Sequence, residues 1–148
     1  MWFFKGKKPR SLFWWSNKKL QVFTTSIEGK KIYYEFRISQ NSLIFKAFLS
    51  NFIEELNKNK NIVFILDNAG WHKTNVITNY LAKFSNIKVQ FLPPYCPELN
   101  PIETCWKTTR HKITNSKHYP NIEILQKNLE IFWDKYFFKL KMSNYLCS

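Results

Sequence analysis

Apolar residues recur along this chain with two different periods, and the switches between them mark out the elements. Leu20 to Ile27 and Lys31 to Ile38 alternate as strands do, and the second sets Ile32, Tyr34, Phe36 and Ile38 on one face. Glu28-Gly29-Lys30 between them reads as a hairpin turn. From about Asn41 to Asn57 the period lengthens. Phe45, Phe48, Leu49, Phe52, Ile53 and Leu56 fall on one helical stripe, with Ser39 or Asn41 as the cap. Asn57-Lys58-Asn59-Lys60 is a polar break, and Asn61 to Leu66 then runs apolar without interruption, as does a strand covered on both faces of a parallel sheet. A second helix is predicted from about Thr74 to Phe84, with Val76, Ile77, Tyr80, Leu81 and Phe84 inward. Ile87 to Leu92 is a further strand, ended by Pro93-Pro94 because proline cannot donate to a ladder. A third helix starts at Asn100 or Pro101 and runs to about Asn115. A fourth, about Asn121 to Leu140, gathers Ile122, Leu125, Leu129, Phe132, Trp133, Tyr136 and Leu140 on its apolar face.

The order is hairpin, helix, strand, helix, strand, helix, helix, with no repeat and no linker, so residues 1–148 form one α/β domain. Its length and its 45% apolar content suffice for a real core. Charge changes the picture more: 23 Lys and Arg against 10 acids give a formal net charge of +13. Such a field favours phosphate backbones or anionic membranes. No apolar run approaches the ~20 residues that span a bilayer, and the opening Met1-Trp2-Phe3-Phe4 is too brief for a signal peptide. Nucleic acid is therefore the favoured partner, with a merely solubilising basic surface as the alternative. Cys96, Cys105 and Cys147 fit no usual zinc spacing and read as free thiols of a reducing cytosol.

Against this basic background the placement of acids stands out. Asp67 closes the run Ile62-Val63-Phe64-Ile65-Leu66, at the carboxyl end of a strand, where ligands of open α/β sheets collect. It equally suits a turn cap in Asp67-Asn68-Ala69-Gly70. Glu103 opens a helix in Asn100-Pro101-Ile102-Glu103, which also matches a capping box, and Lys107 is in range for an i,i+4 pair. Glu98, in a proline-bounded loop, is the rival acid. Two or three carboxylates of this kind suit Mg²⁺, a hard ion that takes oxygen ligands. A pair of such ions ~4 Å apart activates a water or 3′-hydroxyl and stabilises the leaving oxygen of a phosphodiester. His72 could contact a phosphate or shuttle a proton, or be an exposed helix-start residue. Lys107, Arg110 and Lys112 could steer DNA toward the acids or form a solvated helix face. Lys5, Lys7, Lys8 and Arg10, interleaved with Trp2, Trp14 and Trp15, could grip DNA by charge and stacking, with core packing of the tryptophans as the alternative.

Two blocks carry a family resemblance: Ile65-Leu66-Asp67-Asn68-Ala69-Gly70-Trp71-His72-Lys73, and Phe91-Leu92-Pro93-Pro94-Tyr95-Cys96-Pro97-Glu98-Leu99-Asn100-Pro101-Ile102-Glu103-Thr104-Cys105-Trp106. They resemble the catalytic domain of DDE transposases of the mariner superfamily, in the branch of bacterial and archaeal insertion sequences. The second block is hard to produce by chance. The likeness runs over about residues 1 to 116, with Lys5-Gly6-Lys7-Lys8-Pro9 similar to the family's basic turn before the second strand. It implies an α/β ribonuclease H-like three-layer fold with a mixed sheet, Mg²⁺ or Mn²⁺ as cofactor, and transposon ends and target DNA as partners. It makes Asp67 the second acid and Glu103 the third, both binding metal. In that fold the first strand carries the first aspartate at the sheet centre, and here the family-like text begins in the loop after it. The expectation is therefore a sheet without its first strand, and a chain inactive alone in DNA cleavage and strand transfer. Its partners would include an upstream polypeptide supplying that strand and a helix-turn-helix, and a second copy of itself, in the cytoplasm at the nucleoid. The alternative is a non-catalytic DNA-binding remnant that interferes with intact transposase.

Overall fold

The computed structural model describes residues 19–28, 30–56, 59–115, 117–141 and 145. The alternating segments form strands β1 (Gln21–Ile27) and β2 (Lys31–Arg37), paired antiparallel with Gln21 opposite Arg37 and Ile27 opposite Lys31. Glu28 takes a left-handed φ of 51° at the turn, and Lys30 N–H closes it on Ile27 C=O at 3.0 Å. Helix α1 (Ser42–Glu55) follows, capped by Asn41, whose side chain accepts from Ile44 N–H at 3.0 Å. Strands β3 (Ile62–Leu66) and β4 (Ile87–Phe91) run parallel in register from Ile62–Ile87 to Leu66–Phe91. Helix α2 (Asn75–Leu81) supplies the crossover between them. Helices α3 (Pro101–Thr109) and α4 (Ile122–Lys135) complete the fold, α3 running on into a wider π-type turn over Arg110–Thr114.

Strand alternation sorts side chains into two cores on opposite faces. Phe23 and Ile27 of β1 and Tyr33 of β2 face α1 and α2, where they meet Phe45, Phe48, Phe52, Phe64, Ile77 and Leu81. Leu20, Val22, Ile32, Tyr34 and Phe36 face the other way, onto Cys105, Leu129 and Trp133 of α3 and α4. Helix, sheet and helix thus form three layers, as expected. The first core is dense in rings: Phe23 lies 5.5 Å from Phe48 and 5.3 Å from Trp71, and Phe52 reaches both Tyr33 (5.1 Å) and Phe64 (5.8 Å). In the second, Trp133 indole N–H donates to Thr109 Oγ1 at 3.0 Å, both groups buried, and the Thr109 hydroxyl donates to Cys105 C=O at 2.9 Å.

Among the described residues the strands form two separate two-stranded sheets, β1 with β2 and β3 with β4. Each of β1 and β3 therefore pairs on one side only within that set.

Four details depart from the sequence reading. The run Ile62–Leu66 is not covered on both faces by described residues, since Val63 is 59% exposed. Ile38 lies beyond the end of β2 and is exposed rather than on its inward face. Helix α2 is shorter than its pattern and leaves Val76 partly in solvent. Helix α4 stops at Lys135, because Tyr136 turns extended and Phe138, buried in the second core, donates its N–H to Lys30 C=O at 2.7 Å. A contact with the hairpin replaces the last helical turn there.

Candidate active site

Parallel pairing puts the carboxyl ends of β3 and β4 side by side. Leu92 N–H donates to Leu66 C=O at 2.9 Å, and the Asn68 side-chain amide donates to Leu92 C=O. Asp67 leaves β3 at this edge, about half exposed. Its Oδ1 accepts twice, from Ala69 N–H at 3.0 Å and from His72 Nδ1 at 2.8 Å. A carboxylate only accepts, so the bonding proton sits on Nδ1 of the ring. The turn-capping reading of Asp67 is thus realised through Oδ1, while Oδ2 makes no bond among the described residues.

His72 is buried, against the expectation of an exposed helix start. The tight 3₁₀ turn Gly70–Lys73, closed by His72 N–H on Ala69 C=O at 2.9 Å, swings its ring inward. There it stacks on Trp71, 5.2 Å between centroids and 6° between planes, and meets Phe45 of α1 at 4.3 Å. The His72 hydrogen bond is the main cause that holds the Asp67 carboxyl below its ordinary range; the Ala69 N–H adds to it and partial burial opposes it. Lys73, which sequence reasoning passed over, extends its ammonium over the Phe91 ring at 5.1 Å from the centroid and puts positive charge at the same strand edge. Its place beside His72, at the end of the first family-like block, was the signal for it.

Glu103 sits in the first turn of α3, exposed. Asn100 caps this helix, accepting from Ile102 N–H at 3.3 Å, with Pro101 at the first helical position. The reciprocal half of a capping box is not made: Asn100 N–H donates to Pro97 C=O at 3.0 Å instead. Glu103 is thereby released from its own backbone, and no described residue, Lys107 included, pairs with its carboxylate. Glu98 lies exposed in the 3₁₀ turn Pro97–Leu99. Lys107 and Arg110 are exposed on α3 and just beyond it. Lys5, Lys7, Lys8 and Arg10 lie outside the described residues.

The two acids have the oxygen chemistry a hard divalent cation requires. The structure brings Asp67 and His72 into contact, but among the described residues no three His, Cys, Asp or Glu side chains gather as a metal cage. The donor set fits such a cation in kind and falls short of it in number. Cys105 is buried, and its thiol is pushed up to about 11 by that burial.

The three-layer α/β fold is that of a ribonuclease H-like domain, with Asp67 just past the end of β3 and Glu103 in the first turn of α3. A family model of DDE superfamily endonucleases matches residues 1–126, and the chain belongs to that family. Solved structures share the fold. Mos1 transposase, in its paired-end complex with the left transposon end, superposes with a TM-score of 0.73 at 17% identity, over 99% of this chain and 45% of that one. The catalytic domain of Mos1 mariner transposase gives 0.70 at 18% identity, over 91% of this chain and 70% of that one. Among curated proteins, an uncharacterized protein, y4pE/y4sA, of Sinorhizobium fredii (strain NBRC 101917 / NGR234) is 36% identical over 73 residues, 49% of this chain and 51% of its own. The chain thus spans about half the length of these first relatives. Another similar solved structure is a Mos1 mariner paired-end complex with Mn. Among the described residues no helix is long and apolar enough to cross a membrane.

Proposed function

We propose that this chain is part of a transposase catalytic domain that cleaves DNA at transposon ends and joins the freed end to target DNA. The observation that carries the reading is Asp67: a carboxylate at a strand end, oriented through one oxygen by His72 and Ala69, with no partner for the other oxygen among the described residues. Asp67 and Glu103 are the metal-binding acids, and Mg²⁺ or Mn²⁺, when bound, would activate the attacking oxygen and stabilise the leaving one. The chain's own residues orient the acids and hold the nucleic acid. Lys73, Lys107 and Arg110, with Lys5, Lys7, Lys8 and Arg10, neutralise phosphates, and the Asp67–His72 contact fixes the carboxylate. Two acids make an incomplete site. Among the described residues β1 and β3 do not pair with each other, which supports a further strand between them that bears the first aspartate and comes from another segment, of the same polypeptide or of a second one.

The test mixes the purified chain with transposon-end DNA and Mn²⁺, alone and with a polypeptide bearing that strand and the helix-turn-helix. Silence alone and nicking in the mixture, lost in Asp67→Asn and in Glu103→Gln, is the expected result. Nicking that persists in Asp67→Asn would overturn the assignment, and nicking by the chain alone would overturn its dependence on the second polypeptide. Among the described residues no three-ligand cluster forms, which favours one other reading, a non-catalytic DNA-binding fragment that interferes with intact transposase. It predicts a silent mixture together with salt-sensitive binding indifferent to sequence.

A further inference from the structure

Tyr95 is fully exposed, yet its backbone sits in the left-handed region at φ 59°, which a bulky residue rarely adopts. Among the described residues neither its ring nor its hydroxyl has a partner, so no contact of its own explains the conformation. The explanation lies in the loop around it. Pro93, Pro94 and Pro97 restrict the backbone. The Cys96 thiol donates to Pro94 C=O at 3.4 Å, Leu99 N–H to Cys96 C=O at 3.2 Å, and Asn100 N–H to Pro97 C=O at 3.0 Å. One end of the loop is fastened beside Asp67 through Leu92, and the other enters the helix that carries Glu103. Strain held by an over-determined loop next to candidate catalytic groups points to use.

We propose that Tyr95 is a nucleobase-stacking residue, which takes the face of an unpaired base at a DNA end or nick. The inference rests on the reading of the chain as a DNA-processing domain. A phenol ring has two rotatable angles, so a rigid loop presents it at little entropic cost. Stacking on an aromatic ring is indifferent to base identity and needs a base face not already covered by its neighbour. The chain's formal net charge of +13 favours a nucleic acid as the occupant. Lys73 supplies a cation for the adjoining phosphate at the same strand edge.

The experiment uses the whole chain and two oligonucleotide duplexes, one blunt and one with a short single-stranded overhang carrying 2-aminopurine. Anisotropy gives the affinities, and 2-aminopurine quenching reports stacking. Tyr95→Ala is expected to weaken overhang binding by roughly tenfold and abolish quenching while leaving blunt-duplex affinity unchanged. Tyr95→Phe retains both. Tyr95→Gly, which suits the left-handed backbone, leaves thermal stability equal or higher yet binds as weakly as Tyr95→Ala. Equal overhang affinity and quenching in Tyr95→Ala overturns the inference and leaves the DNA reading standing. Equal losses on both duplexes also overturn it, as does unchanged DNA binding with lost self-association, which would assign the ring to a protein contact. A wild-type chain that binds neither duplex overturns both readings at once.

Discussion

A single hydrogen bond decides how the Asp67 carboxylate behaves. With its folded titration lowered, Asp67 contributes stability that is present above its ordinary value of 3.8 and is lost as pH falls through the lowered folded value. Melting curves of the native chain and of Asp67→Asn should accordingly differ most near neutrality and converge in acid; a difference constant with pH would show that the His72 contact does not favour the ionised form. Trp133 makes the other decisive residue-scale bond. Trp133→Phe strips the buried Thr109 oxygen of its donor and opens space beside Trp106, whose ring meets Trp133 edge-on at 5.5 Å. A loss of about 2 kcal/mol in chemical denaturation is expected. Asp67 itself was legible in the sequence, because an acid that ends an apolar run has few other places to be. The burial of His72 was not, because what covers its ring is Phe45, from a helix distant in the chain.

At the scale of elements, order and type followed from periodicity alone wherever a stripe was long. The stripe from Phe45 to Ile53 is the buried face of α1, and Asn41 caps it as its side chain allows. Ends were harder. The apolar pattern past Lys135 continues in step with a helix, but Phe138 fills the second core from an extended segment and so ends α4. The all-apolar β3 shows the same limit in another form: apolarity says that a face wants cover, not which segment provides it. Helix α1 ties the two sheets through Phe52, which touches Tyr33 on one and Phe64 on the other. Phe52→Ala should cost about 3–5 kcal/mol and lower the protection of amides in both sheets in hydrogen exchange. Loss confined to one sheet would show that the helix does not join them.

For the whole molecule, the excess of 23 basic over 10 acidic side chains sets how it meets a polyanion. If phosphates are the partner, the logarithm of DNA affinity should fall linearly with the logarithm of salt, and reversing the charge of Lys107 and Arg110 together should flatten that slope by about 2. An unchanged slope would remove α3 from the interface. The family was readable from two short blocks because both lie at the strand-end edge where the candidate chemistry is placed. The two-sheet division was foreseeable only through the family's fold, since no local pattern announces a strand that the described chain does not contain.

Cys105 has a practical use that follows from its position. Its thiol is sealed between α3 and the hairpin, and burial disfavours the thiolate that alkylating reagents require. Iodoacetamide should therefore reach it only when α3 lifts away, while the partly accessible Cys96 reacts early. Peptide mass spectrometry of the modified chain would then time, in the native state, how often the helix bearing Glu103 opens, and whether added manganese or DNA slows that clock.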